Sequence, residues 1–93
     1  MTVVPLTKEL RKELSLGKDI TGLVVQNVDE TAKAYDKGVR AGDVISEAGQ
    51  QKLRVVSDFE ARIAEAKEAG RKSLLLLIRR AGDPRFVALS VED

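Results

Sequence analysis

The sequence contains no cysteine, no histidine and no tryptophan. Without cysteine, neither a disulfide framework nor a thiolate zinc site can form. Without histidine, a Ser-His-Asp arrangement has no imidazole to take the serine proton, which excludes that type of catalysis in this chain. We therefore expect that the chain is not itself an enzyme, with no catalytic residue, no metal site and no cofactor.

Aromatic residues are also few, and the net charge is small. Tyr35, Phe59 and Phe86 are too scattered to form a base-stacking platform. The formal net charge is +1, so no long-range attraction to nucleic acid or to an anionic membrane is expected. A weak nucleic-acid hypothesis rests on scattered cations: Lys8, Arg11, Lys12, Lys18, Arg79 and Arg80. No signal peptide is recognisable, and the apolar run 74–78 is too short to span a bilayer.

What is present suits one small soluble domain over residues 1–93, because 43% of the residues are hydrophobic and 33% are charged. Short apolar runs separated by turn residues predict five or six strands, and two or three segments have helical character. Pro5 ends the first strand or confines it to a sheet edge, Thr7 caps a short helix, and Ser57 or Asp58 caps the longest one. The predicted strands are 1–4, 22–28, 44–47, 51–53, 72–79 and 85–91, and the predicted helices are 8–14, 32–37 and 57–69, with residues 29–31 capping the second and a turn at 81–84.

The central stretch, GVRAGDVI, runs from Gly38 to Ile45 and predicts a helix stop, a tight corner and a strand start. Gly38 and Gly42 allow positive φ without a Cβ clash. The Asp43 carboxylate can accept hydrogen bonds from nearby backbone N–H groups and hold the turn. Taken alone, the stretch is equally compatible with an ordinary helix-to-strand corner.

With its flanking sequence, this corner closely resembles the corresponding part of PDZ domains, in particular those of periplasmic HtrA/Deg-type serine proteases. The resemblance covers nearly the whole chain, and its most specific part runs from Gly22 to Ile45. Two positions depart from the family pattern: Tyr35 replaces a small residue, and Lys33 replaces a proline. The residues that carry the resemblance are the strand GLVVQNV from Gly22, the corner, Leu53, the triplet Ser57, Asp58 and Phe59, and the segment 72–79.

The resemblance implies a mainly β (α+β) fold of the permuted bacterial PDZ type. Five to six strands would form a small, bent antiparallel sheet or partly open barrel capped by helices. It also implies a peptide-binding module, which takes extended apolar C-termini by adding a strand in a groove between the N-terminal strand and the 57–69 helix. For Phe59 and Ile63, plain core packing is an equally good interpretation. The expected groove residues are Met1, Thr2, Val3, Val4, Phe59, Ile63, Ala66 and Lys67.

The same resemblance suggests the wider context. The chain would be one domain, nearer to the second PDZ domain than the first, excised from a periplasmic protease whose catalytic domain lies upstream. Its partners would be C-terminal or extended peptides of misfolded proteins and other domains of that protease, and the isolated domain would be monomeric. The loop that binds the peptide carboxylate would be absent, or cut at Met1. The alternative is an assembly module whose groove is filled by a neighbouring domain or subunit.

Overall fold

The computed structural model describes residues 1–80 and 83–91, which form six strands and three helices. Their order is β1 (Thr2–Pro5), α1 (Lys8–Glu13), β2 (Leu23–Asn27), α2 (Lys33–Asp36), β3 (Val44–Ala48), β4 (Gln51–Lys52), α3 (Val56–Glu68), β5 (Ser73–Arg80) and β6 (Asp83–Ser90). The predicted mainly β fold with three helices is confirmed. Within the described residues, no helix has both the length and the apolar character needed to cross a bilayer.

All strand pairs in the sheet are antiparallel, and the strand order is β1-β2-β3-β5-β6. The two-residue strand β4 pairs with β3 beside this path, across the predicted turn at Gly49 and Gln50. Strand β1 therefore lies at one end of the sheet and β6 at the other. Helix α3 contacts both β1 and β5.

The main core lies on the face of the sheet that carries α3. The second half of β6 alternates between buried and exposed side chains, as predicted, because successive side chains of a strand point to opposite faces. The leucine run 72–79 predicts a strand that is buried throughout, but β5 also alternates, and Leu75 on its outer face is 43% exposed. Partly buried Val3, Val28, Val56 and Ile63 pack against this core. Its buried members are Leu23, Val25, Ala34, Val39, Ile45, Ala48, Leu53, Phe59, Ala66, Leu74, Leu76, Ile78, Val87, Leu89 and Val91.

A second, smaller apolar cluster lies on the other face of β2. Helix α1 begins where the Thr7 hydroxyl accepts a hydrogen bond from the Leu10 N–H at 3.2 Å, which confirms the predicted cap. The leucines of and around this helix cover the sheet, so residues 23–25 of β2 are buried on both faces, while Gln26 and Asn27 are exposed. The apolar run at the start of β2 predicts such burial for part of the strand. The cluster consists of Ile20, Val24 and Val44 together with Val4, Leu6, Leu10, Leu14 and Leu16.

Two helix starts differ from the sequence predictions. Helix α3 begins at Val56, because the Asp58 carboxylate reaches back to the N–H groups of Arg54 and Val55, at 3.0 and 3.3 Å, instead of capping a later start. Neither Ser57 nor Asp58 is therefore the N-cap. No residue of the turn 29–31 caps α2 either, since Ala32 occupies its N-cap position without a side-chain hydrogen bond.

Most strand boundaries differ from the predicted ones by one residue, and two of the differences have a clear physical reason. Strand β1 includes Pro5 at the edge of the sheet, which confirms the alternative that Pro5 confines the strand to an edge, because its missing N–H breaks no ladder hydrogen bond on the outer side. Strand β6 begins at Asp83, so Asp83 and Pro84, which were predicted in the turn, pair with Arg80 and Arg79 in the sheet. The predicted turn residues 81 and 82 lie outside the described residues.

Candidate functional site

The corner between α2 and β3 is joined to β5 and fixes the position of the strands next to the candidate site. Gly38 and Gly42 have φ values of +98° and +95°, as their sequence context predicts. The buried Asp43 carboxylate accepts the Arg40 N–H at 2.9 Å through Oδ2. It also accepts Nε–H and Nη2–H of Arg80, at 2.8 and 2.9 Å, in a bidentate pair. Arg80 Nη2 further donates to the Gly38 carbonyl at 2.6 Å, so one guanidinium fastens the corner to β5.

The Arg80 guanidinium was missed as part of this corner by sequence reasoning, which grouped it with surface cations. The hydrogen bonds to Asp43 raise its pKa above the ordinary value, against the opposing effect of partial burial. Antiparallel pairing of β3 with β5 places Val44 opposite Arg79 and thereby brings Arg80 to the corner. The sequence shows a carboxylate in the corner, Asp43, and an arginine at the end of the apolar run, Arg80. That they form an ion pair follows only from the register of β3 with β5.

Strand β1 presents backbone groups at the open end of the sheet. Val3 lies opposite Val25 in β2. Both backbone groups of Val25 are used on its other side: its N–H donates to the Asp43 carbonyl and its carbonyl accepts the Gly42 N–H, each at 2.8 Å. In an antiparallel ladder these groups alternate between neighbours. The N–H and C=O of Val3 therefore point away from β2, toward the open edge.

Pro5 is the next residue of β1 that faces outward. The Leu6 N–H donates to the Gly22 carbonyl at 3.3 Å, so Leu6 faces β2 and the residue before it faces away. Because proline has no N–H, Pro5 adds only an acceptor to the edge. The open edge between Val3 and Pro5 thus offers one donor and two acceptors.

The side chains of β1 divide between the two faces of the sheet. Val3 packs against the main core, as does Ile63 of α3, so both belong to the same apolar surface. Val4 packs into the second cluster under α1, so its side chain lies on the opposite face from α3. Met1 and Thr2 are exposed at the start of the strand. Of the four N-terminal residues expected in the groove, Val3 has both its outward backbone and its side chain on the α3 side.

Helix α3 forms the second wall. Phe59 and Ala66 are 5% and 4% exposed, so they contribute mainly to the core, which is the alternative that sequence reasoning kept open for Phe59. Ile63 lies between them along the helix and is half-buried, while Lys67 is exposed. Among these residues of α3, Ile63 is therefore the best candidate for the apolar wall of a groove, because it is apolar and only half-buried.

The direction of α3 relative to β1 follows from one shared pocket. Leu6, just after β1, and Arg54, just before α3, line the same cavity. The end of β1 is thus beside the start of α3, and the start of β1 lies toward the second half of the helix. The strand and the helix run in opposite senses along a slot whose floor is apolar and whose strand side carries free backbone groups. Such a slot can accept an extended chain as an added strand.

Some cations of the nucleic-acid hypothesis have structural roles. Arg80 is committed to Asp43. The Arg11 guanidinium donates to the carbonyls of Gly17 and Ile20, where it closes the loop after α1. Two of the six expected cations are therefore structural, which weakens this hypothesis beyond the argument from net charge.

Comparison with known proteins finds relatives in sequence and a solved structure with a similar fold. No protein-family model matches the chain. Probable DegP-like periplasmic serine endoproteases match it in sequence: that of Bartonella henselae is 44% identical over 73 residues and 78% of this chain, that of Brucella suis is 38% identical over 82%, and that of Rickettsia prowazekii is 32% identical over 98%. The chain spans only 14, 15 and 17% of the lengths of these relatives.

A solved structure matches the fold. The PDZ domain of HtrA3, crystallised with a phage-derived ligand of sequence FGRWV, superposes with a TM-score of 0.75. The match covers 97% of this chain and 79% of the HtrA3 chain at 23% sequence identity. The architecture described above is therefore that of a PDZ domain.

Proposed function

We infer from the homology of this chain, over most of its length, to DegP-like periplasmic serine endoproteases, and from its PDZ fold, that it is a peptide-binding module of such a protease. The observation that carries this proposal is the outward N–H and C=O of Val3 on a strand that contacts α3, together with half-buried Ile63 of α3, which packs against the same core as Val3. Backbone groups at a sheet edge give sequence-tolerant affinity, and the apolar wall selects the side chains of the added strand. The module is non-catalytic, and residues 1–93 act as a single PDZ domain.

The preferred ligand is an extended peptide with an apolar C-terminus, such as misfolded substrates of a periplasmic protease would present. Val3 pairs with the peptide backbone, and Ile63 contacts an apolar peptide side chain. Met1, Thr2 and Lys67 border the slot at the end where β1 begins. Phe59 and Ala66 support Ile63 from the core. Val4 pairs with Val24 of β2 and packs into the second cluster, so it holds β1 in place and does not contact the peptide.

Titration of the ¹⁵N-labelled chain with the peptide FGRWV tests this function. We expect amide shifts concentrated in residues 2–4 and 59–66. The variant Ile63→Glu places a charge on the apolar wall and should weaken binding at least about tenfold. Leu75→Glu, at an exposed leucine on the other side of β5, is the matched control and should bind like the parent. Shifts confined to other elements, or equal losses in both variants, would contradict the proposal.

A second function, as an assembly module, is favoured by the open edge of β1 itself, because an unpaired edge can also receive a strand from a neighbouring domain or subunit. Sedimentation of the free chain separates the two. A monomer that binds the peptide supports the first function. Self-association that the peptide does not reverse supports the second.

A further inference from the structure

A pocket of about 220 Å³ lies beyond the end of β1. Leu6, which follows β1, and Arg54, which precedes α3, both line it, so it lies near the end of β1 that is remote from Met1. Its lining residues are Leu6, Arg11, Thr21, Gly22, Leu53 and Arg54. Two of these six are arginines, and none is acidic.

The two arginine side chains differ in how firmly hydrogen bonds hold them. Arg11 is held in place by the carbonyls of Gly17 and Ile20. Arg54 is exposed, and its backbone N–H, not its side chain, bonds the nearby Asp58 carboxylate. In the described part of the chain, no salt bridge joins either arginine to a carboxylate. The pocket therefore combines a fixed and an adjustable cation with an apolar base formed by Leu6 and Leu53.

An added strand would extend to the level of this pocket. A peptide antiparallel to β1 and paired with Val3 advances about 3.4 Å per residue, so its third residue upstream of that pair lies level with Leu6. On the way it passes Pro5, where the edge offers no N–H donor. Backbone hydrogen bonding is poorer there than at Val3, so a side-chain contact has more influence on which sequence binds.

We propose that this pocket binds the carboxylate of an aspartate or glutamate upstream of the apolar C-terminus of the bound peptide. The proposal rests on the proposed function, since it assumes a peptide in the groove. Charge complementarity is its basis: Arg11 and Arg54 line the pocket, and guanidinium groups pair well with carboxylates. The module would then select peptides by two features, an apolar end and an acidic residue several positions before it.

The test compares glutamate with glutamine in otherwise identical peptides. Variants of FGRWV carry either residue at the fourth or fifth position from the C-terminus, or as an added sixth residue, and affinities for the full chain are measured by calorimetry. At the position that reaches the pocket, glutamate should bind about fivefold more tightly than glutamine, as expected for a partly exposed ion pair. The ratio should fall when the salt concentration is raised.

Two protein variants locate the effect. Arg54→Gln removes an exposed charge whose side chain carries no structural hydrogen bond, and it should bring the glutamate-to-glutamine ratio close to one. Arg85→Gln removes an equally exposed charge from β6, at the far end of the sheet, and should leave the ratio near five. A ratio near one in the parent chain at every position, or a ratio that Arg54→Gln does not change, would overturn the proposal.

Failure of this proposal can be distinguished from failure of the groove itself. If the glutamine peptides shift the amides of Val3 and Ile63 while the ratio is one, the groove binds peptide and the pocket does not select acids. If Arg54→Gln weakens both peptides equally and a C-terminal amide abolishes binding, the pocket receives the terminal carboxylate of a parallel strand, which overturns the assignment to a side chain. If no peptide binds, both proposals are wrong.

Discussion

The two ends of the sheet differ in length, in pairing and in what lies beside them. Strand β6 pairs with β5 along its whole eight-residue length without a break in register. Strand β1 has four residues, and its register to β2 shifts between Thr2 and Val3. The 13-residue helix α3 contacts β1, whereas β6 contacts the four-residue helix α2 and carries the exposed Phe86 on the sheet face opposite the core. We therefore place the slot at the short edge beside the long helix and not at the long edge beside the short one.

This comparison indicates that the position of β1, at the proposed binding end, depends on the frame between the two ends of the sheet, which consists of β2, β3, β5 and the corner. Strand β1 is held by β2, which is held by β3 and by the corner that Asp43 fastens to β5. Substitutions in this frame should therefore damage both ends, while substitutions in β1 should change binding with a smaller loss of stability. The following predictions test this order.

The largest effect is expected at Gly22, where β2 approaches β3. It has φ +143°, and a Cβ there would lie 2.2 Å from the Ile45 carbonyl oxygen. Gly22→Ala should lower the free energy of unfolding by more than about 3 kcal/mol, because strain and a backbone clash add. Gly38→Ala is the control, since it has φ +98° but nothing within 4 Å of a Cβ, and it should cost about 1 kcal/mol. Chemical denaturation measures both, and equal losses would show that the close approach is unimportant.

The next effect is expected at the Asp43–Arg80 pair. Asp43→Asn removes the buried charge and leaves Arg80 without its carboxylate, at a cost of about 2 kcal/mol. The control Glu65→Gln breaks the exposed pair with Arg62 and should cost about 0.3 kcal/mol. Thermal and urea unfolding should rank the variants in this order. Similar losses in the two variants would contradict a special role for the corner.

The pH dependence of the same pair follows from the raised pKa of Arg80. A cation with a raised folded-state pKa contributes its stability fully below its ordinary pKa and loses it only as pH rises through the folded value. The difference in unfolding free energy between the parent and Asp43→Asn should therefore stay constant from about pH 7 to pH 10. A difference that shrinks over this range would show that another group titrates against the pair.

A smaller effect separates the two faces of β1. Val3→Ala and Val4→Ala remove the same two methyl groups from adjacent half-buried residues, and each should cost about 1 kcal/mol of stability. Only Val3 faces α3, so only Val3→Ala should also weaken binding of FGRWV, by about fivefold. Calorimetric titration of both variants, with their unfolding free energies, makes the comparison. Equal weakening would mean that the slot is not between β1 and α3.

The smallest effect is expected at Pro5. Pro5→Ala adds an outward N–H to the edge, and this extra donor should tighten peptide binding about twofold. Pro84→Ala, at an exposed proline of β6 at the other end of the sheet, should leave the affinity unchanged. A change of affinity in Pro84→Ala would indicate that the peptide binds at the wrong end.

Several local features were predicted correctly because they depend only on residues close together in the sequence. Thr7 caps α1, Gly38 and Gly42 adopt positive φ, and the alternation of β6 separates buried from exposed residues, each as predicted. The start of α3 was misplaced, because a carboxylate can cap from the N-cap position or from a position inside the helix, and Asp58 uses the second option. The roles of the predicted groove residues remain predictions, although the structure sorts them into backbone, wall and core.

By itself, the sequence determined the type and order of the elements and the sharp corner, because dihedral freedom, capping and side-chain alternation act between near neighbours. Only the tertiary structure decided that Arg80 meets Asp43, that Val3 and Val4 face different clusters, and that Arg11 and Arg54 share a pocket. These relations depend on strand register and on the sense of α3 against β1. Both are set by the burial of many side chains at once, which no single stretch of the chain encodes.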